Sequence, residues 1–273
     1  MEVVFNSIKF KGSRNELVFS LKEGRTYGLI GSSGSNKTKI LELIAGIELP
    51  QSGSASVCKE NINKDTGDQT LYKVRKNVGY LFENTMEQFF QETVYDEISF
   101  ALKNYEYKND NISEHVKKSL KLVCLDESYL DRNPFSLSCG EAKKVALATI
   151  LAYNPKVILL DDPTLGLDYN SKKDLIKLVR VLKKRYKKTI IIASKDVEFL
   201  HKIVDDIIVI NNNKVVLSGT KYNVFSNKAI LSKLGFEVPK IIEFSNKVKS
   251  KKKIKLGYRD EMNDLMKDIY RNV

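Results

Sequence analysis

The strongest constraint on the fold is a glycine/serine loop set between a short apolar run and a helical segment. Residues 26–30 have strand character. Gly31-Ser32-Ser33-Gly34-Ser35-Asn36-Lys37-Thr38 follows, and residues 37–45 place apolar side chains at helical spacing. The loop fits the pattern GxxxxGK[ST] except where Asn36 replaces glycine. Glycines let successive backbone N–H groups turn inward onto phosphate oxygens at the positive end of the next helix. Lys37 is then expected to reach the β/γ-phosphates and Thr38 to hold Mg²⁺. Asparagine tolerates positive φ better than other non-glycine residues, so the substitution is compatible with the turn. Read alone, the segment is also compatible with an ordinary Gly/Ser turn, and its strand–loop–helix setting argues for the phosphate site.

Two more segments bear on this site. Val157-Ile158-Leu159-Leu160-Asp161-Asp162-Pro163-Thr164 is an apolar run that ends in two acids. A buried strand ending there is able to present Asp161 to Mg²⁺, although alone it is also just a strand with a polar end. Leu137-Ser138-Cys139-Gly140-Glu141 opens a helix. Ser138 and the Gly140 N–H are able to bind an anion at that helix start, or simply to cap it. Finding all three in this order argues against coincidence.

The rest of the chain reads as strands at 3–10, 17–21, 77–82, 157–160, 189–193, 206–210 and 214–218. Helices are expected at 88–103, 114–122, 141–151 and 171–186. Alternating strands and helices predict an α/β core with a largely parallel sheet. Residues 227–273 read as a charged helical tail, with Gly235 and Pro239 at its joint. No apolar run approaches the roughly 18 residues of a membrane span. The first residues lack a signal pattern. Cys58, Cys124 and Cys139 show no CxxC spacing, and His115 and His201 have no partner at metal-ligand spacing. The net charge is +12, but only 8 of 46 basic residues are arginine and the lysines are spread along the chain. A nucleic-acid partner is therefore not expected, whereas an anionic membrane surface nearby suits the charge.

On these three segments the sequence resembles the ABC transporter ATPase family over at least residues 1–225. Leu137 to Glu141 is similar to the signature LSGGQ, with Cys139 and Glu141 as departures. Leu165-Gly166-Leu167-Asp168 resembles the loop that crosses the dimer interface, and Phe10 falls where the family places an adenine-stacking aromatic. The resemblance implies a P-loop ATPase core at 1–85 and 145–225, including an antiparallel β subdomain. It also implies a helical subdomain at 86–144 and a helical C-terminal extension at 226–273. Two such subunits form a head-to-tail sandwich with ATP between the phosphate loop of one and the signature of the other. Closure on binding and reopening after hydrolysis then drive membrane subunits.

Further motifs resemble the ATPases of energy-coupling factor (ECF) importers, and the second of their two ATPases more than the first. They are Leu81-Phe82-Glu83-Asn84-Thr85-Met86-Glu87-Gln88, Glu92-Thr93-Val94-Tyr95-Asp96-Glu97-Ile98, Asn133-Pro134-Phe135-Ser136 and Leu234-Gly235-Phe236-Glu237-Val238-Pro239. The implied partners are a second ATPase, a transmembrane coupling subunit and exchangeable substrate-binding membrane subunits, with this chain peripheral on the cytoplasmic face. Residues 83–97 carry Glu83, Glu87, Glu92, Asp96 and Glu97 and no Lys or Arg. Such an acidic stretch either attracts a basic helix of the coupling subunit or forms a solvated helix face.

Departures from the family pattern fall on one composite site. Asp162 replaces the glutamate that polarises the attacking water and reaches roughly 1.5 Å less far. Lys195 takes the place of the switch histidine, and Glu83 that of a glutamine near Mg²⁺. With Asn36, they predict a subunit that binds Mg-ATP and turns it over slowly. Alternatives are a catalytically silent, nucleotide-gated subunit and a soluble ABC-type ATPase not tied to transport.

Overall fold

The computed structural model describes residues 2–105, 111–252 and 256–272. In chain order the first half contains β1 (Val3–Lys9), β2 (Leu17–Leu21), β3 (Thr26–Gly31), α1 (Lys37–Ile44), β4 (Ser52–Val57), β5 (Glu60–Ile62), α2 (Asp68–Asn77), β6 (Val78–Leu81), α3 (Val94–Asn104) and α4 (Ile112–Leu122). The second half contains α5 (Cys139–Ala152), β7 (Val157–Asp161), α6 (Tyr169–Lys184), β8 (Thr189–Ala193), α7 (Val197–Ile203), β9 (Asp206–Asn211) and β10 (Lys214–Thr220). The tail adds α8 (Lys221–Ser226), α9 (Lys228–Lys233), α10 (Lys240–Lys252) and α11 (Met262–Asn272). No described helix is long and apolar enough to cross a membrane.

The strands build two sheets. One is antiparallel, in the order β2-β1-β4-β5, and the other runs β10-β9-β3-β8-β7-β6. In the six-stranded sheet all neighbours are parallel except β10 against β9, as the alternation of strands and helices predicts. Its central strands β3, β7 and β8 are buried along their whole length, which is why they read as unbroken apolar runs. Successive side chains alternate between two cores. Ile158, Leu160, Ile190 and Ile192 face the cluster shared with α3–α7 and the tail. Val157, Leu159, Ile191 and Ala193 face the cluster shared with α1 and the antiparallel sheet.

Some elements differ from expectation. The helix expected from residue 88 starts only at Val94. Thr93 caps it, accepting from the Asp96 N–H at 3.1 Å and donating to Asp96 Oδ2 at 2.7 Å. A cap of this kind fixes a helix start more firmly than periodicity does. Elements β4, β5, α2 and α7 have no counterpart in the sequence reading. Strand β5 is a three-residue edge element, and β4, between β1 and β5, carries Ser, Gly and Ala in place of a strand-forming alternation. In the tail, Gly235 adopts φ 77° just after α9, and α10 begins at Lys240, after Pro239. That is the joint the sequence marks.

Candidate functional site

Strand β3 delivers the chain into the loop at Gly31. A Cβ there would overlap Ser35 Oγ and the Ile210 carbonyl, so only glycine fits. The Ser35 N–H donates to the Ser32 carbonyl at 3.1 Å, closing the turn. Gly34 has φ 78° and Asn36 φ 60°, both left-handed, while Ser32 and Ser33 stand partly or wholly exposed. Lys37 leads α1 and folds back over the loop. Its Nζ donates to the Gly31 carbonyl at 2.8 Å and to Ser35 Oγ at 3.3 Å. Burial pulls the Lys37 ammonium below its ordinary value, and Asp162, Asp161 and Glu83 oppose that shift. A buried ammonium over a nest of amides suits an anionic group.

Strand β7 carries Asp161 to the same end of the sheet. The carboxylate is buried, accepts from Tyr80 OH at 3.2 Å and from the Thr38 hydroxyl, and is pushed up by its burial. A hydroxyl and a carboxylate side by side are the hard oxygen donors that Mg²⁺ takes together with phosphate oxygens and water. Thr38 and Asp161 therefore fit that ion. They open onto a cleft of about 630 Å³ that is also lined by Glu42, Tyr80, Glu83 and Cys139. Glu83 thus lines the same cavity as Asp161.

Asp162 follows with φ 36°, and its N–H donates to the Ala193 carbonyl at 2.9 Å, next to the end of β8. Its Oδ1 accepts from the Lys195 N–H at 3.3 Å, and Lys195 Nζ donates to Ser33 Oγ at 3.0 Å. The two departures therefore meet, and Lys195 closes onto the phosphate loop. Lys143 of α5, which the sequence reading missed, is 4% exposed. Its Nζ donates to the carbonyls of Leu165 at 2.6 Å, Pro163 at 3.3 Å and Asp162 at 3.4 Å. Burial lowers its pKa. A single lysine in a largely buried helix gives no sequence signal for such a role.

The segment opening α5 is capped from within. Ser138 Oγ accepts from the Glu141 N–H at 3.4 Å, and Glu141 Oε2 accepts from the Ser138 N–H at 2.9 Å and its hydroxyl at 2.6 Å. This is a capping box. Tyr129 OH adds a bond to Oε1 at 2.6 Å, and the hydrogen bonds from Ser138, then Tyr129, hold the Glu141 carboxyl at about 2. Cys139 Sγ sits 4.0 Å from the Leu165 carbonyl, against Gly166. A Cβ on Gly140 would lie 3.2 Å from Ser171 Oγ. Asp168 caps α6, accepting from the Ser171 N–H at 2.8 Å. Both segments are thus ordinary caps within one chain, and their exposed residues face outward.

Phe10 requires a correction. It is 1% exposed and packs in the core beneath the antiparallel sheet, so its ring presents no face for stacking on a base. The aromatic position alone carried that expectation, and burial overrides it. Of the histidines, His201 is 1% exposed.

The sequence matches the ABC transporter family over residues 14–165. It is 35% identical to the energy-coupling factor transporter ATP-binding protein EcfA2 of Clostridium perfringens, over 87% of this chain and 83% of that protein. It is 32% identical to EcfA3 of Oenococcus oeni, over 91% and 89%. Among solved structures, cbiO1 of Clostridium perfringens, part of the ABC transporter complex cbiONQ, superposes with a TM-score of 0.74 at 27% identity, covering 90% of this chain and 98% of that one. The ATP-binding cassette MJ0796, in a dimeric post-hydrolysis state bound to ADP and Pi, superposes with a TM-score of 0.73 at 24% identity, covering 80% and 98%, and shows the same fold. With that match over more than half of its length, these relatives and a P-loop α/β fold, the chain belongs to the ABC transporter family, among relatives named as ECF transporter ATP-binding proteins.

Proposed function

We propose that this chain is an ATP-binding subunit of an ECF-type importer, and that its own hydrolytic site is slow. The observation that carries the proposal is the meeting of Lys37, Thr38 and Asp161 at one end of the parallel sheet, beside a loop with two left-handed residues. The amides of residues 31–36 bind the triphosphate, and Lys37 moves from the Gly31 and Ser32 carbonyls onto the β/γ-phosphates. Thr38 and Asp161 hold Mg²⁺, which neutralises charge on the phosphate oxygens. Glu83 adds a negative charge near that ion. Asp162 is the base that orients water, but its carboxylate is short and also accepts from the Lys195 N–H. Lys195 supplies positive charge towards the γ-phosphate without the lone-pair acceptor of a histidine.

Ser138, Cys139, Gly140, Glu141 and Asp168 serve the composite site of a second ATPase subunit in this reading. The coupling subunit docks near residues 83–97. Glu97 does not contribute to that surface, because it is buried and accepts from the Phe90 and Gln91 N–H groups at 3.1 and 3.0 Å. Exposed Glu83, Glu87 and Glu92 beside exposed Phe90, Phe100 and Phe135 leave an acidic and aromatic surface suited to a basic, partly apolar helix. A peripheral place on the cytoplasmic face, a helical unit at 86–144 and uptake of a vitamin or other micronutrient follow from the same likeness. The test is ATP hydrolysis by the purified heterodimer carrying Lys37→Ala in this chain. A slow site predicts that most activity remains; near-complete loss would make this site a main hydrolytic one.

A further inference from the structure

Asn36 holds a conformation that glycine reaches without cost, with φ 60° and ψ 32°. A bulkier residue persists there where its surroundings hold it. The Asn36 side chain makes no cap bond to the helix it precedes. Its Nδ2 instead donates to Asn213 Oδ1 at 2.8 Å, across 177 positions of sequence. Asn213 and Asn212 form the turn between β9 and β10, with φ 56° and 48°, the pair of positive values a two-residue hairpin turn needs.

This turn is itself fixed in place. Asn211 pairs with Lys214 across its base, and the Asn212 carbonyl accepts from Asn15 Nδ2 at 2.8 Å. Strand β9 runs parallel to β3 as far as Ile210 opposite Gly31. The Ile210 carbonyl occupies the space that a Cβ on Gly31 would need. The hairpin therefore grips the phosphate loop twice, by backbone at Gly31 and by the Asn213 side chain at Asn36.

We propose that Asn213 is a positioning residue for nucleotide binding: its amide oxygen holds Asn36 left-handed, so that the loop amides converge on the phosphates. The inference rests on reading residues 31–38 as the phosphate loop. A glycine at position 36 would need no such support, which makes the two asparagines a matched pair.

Calorimetric titration of the full-length chain with Mg-ATP tests the pairing in four proteins: wild type, Asn213→Gly, Asn36→Gly and the double variant. Glycine at 213 keeps the positive φ of the turn and removes only the amide. Asn213→Gly is expected to raise Kd about fivefold, or about 1 kcal/mol. In the Asn36→Gly background the same change is expected to shift Kd by less than about twofold, the mark of two coupled sites. Asn36→Gly alone, although it lacks the hydrogen bond, is expected to bind at least as tightly as wild type. Equal losses in both backgrounds, no loss with Asn36 present, or weaker binding by Asn36→Gly would each overturn the role of Asn213 while leaving the phosphate loop intact. A wild-type chain that takes up no Mg-ATP overturns the phosphate-loop reading, and the role of Asn213 with it.

Discussion

Asp162 combines a functional demand with a backbone one. Its φ of 36° is a value that a short Asp accepts more readily than Glu. Its side chain is one methylene shorter than the glutamate that the family likeness places there. Asp162→Glu therefore has two expected effects of opposite kind. Turnover of the purified heterodimer rises about tenfold or more, because a base within hydrogen-bond reach of its water contributes on the order of 10²–10⁴. Stability of the isolated chain falls by about 1 kcal/mol, from the cost of a longer side chain at positive φ. Steady-state hydrolysis and thermal melting measure the two separately; unchanged turnover would show that reach does not limit this site.

Helix α5 is tied to the loop after β7 by one side chain. Lys143 is buried and spends its three donors on the carbonyls of residues 162, 163 and 165. The same helix opens with Ser138 and ends against the core, so Lys143 joins the signature segment to the segment that carries Asp162 and Gly166. Lys143→Met keeps the aliphatic length and removes the donors. Turnover at this chain's own site, read in a heterodimer whose other site is silenced, is expected to fall about ten- to a hundredfold through misplacement of Asp162, with Mg-ATP affinity unchanged and Lys143→Arg retaining most activity. An equal loss of affinity and turnover, not rescued by Arg, would mark Lys143 as a general packing residue. Helix α3 teaches a different lesson. Its acid-rich lead-in looks like one continuous charged face in sequence, yet Glu97 turns inward onto two backbone N–H groups, and Thr93 sets the helix start.

Across the whole molecule, the C-terminal segment closes over His201. Asp260 Oδ1 lies 3.9 Å from His201 Nε2 and 2.6 Å from Lys221 Nζ, and also accepts from Tyr222 OH at 2.8 Å. The rings of Tyr222 and Phe225 flank the imidazole at 6.2 and 6.1 Å. Burial first, then Lys221, lower the His201 pKa to about 4, against the pull of Asp260. The unfolded chain thus binds more protons than the folded one between pH 4 and the ordinary histidine value of about 6.5. Stability contributed by neutral His201 is full above that range and declines as pH falls through it, by at most about 3 kcal/mol. Denaturant unfolding from pH 7 to pH 4 is expected to show this loss, and His201→Leu to flatten it. A pH dependence unaltered by that substitution would place the loss on other groups.

The alternation of strands and helices, the largely parallel sheet, the loop before α1, the acid that ends β7 and the capped start of α5 were legible in the sequence. Each is written locally, as an apolar run, a glycine spacing or a cap, and needs no distant partner to be read. The short strands β4 and β5 were not legible, because they gain their order from pairing with β1 and each other rather than from their own residues. The burial of Phe10, the inward turn of Glu97, the tether of Lys143 and the support of Asn36 by Asn213 also escaped. Apart from the local turn of Glu97 onto Phe90 and Gln91, those are contacts between segments well separated in the chain. Their energies come from burial and from hydrogen bonds made once the sheets have assembled. The sequence by itself determined which chemistry-bearing groups exist and which elements carry them; only the tertiary structure decided which of those groups face the cleft and what holds them there.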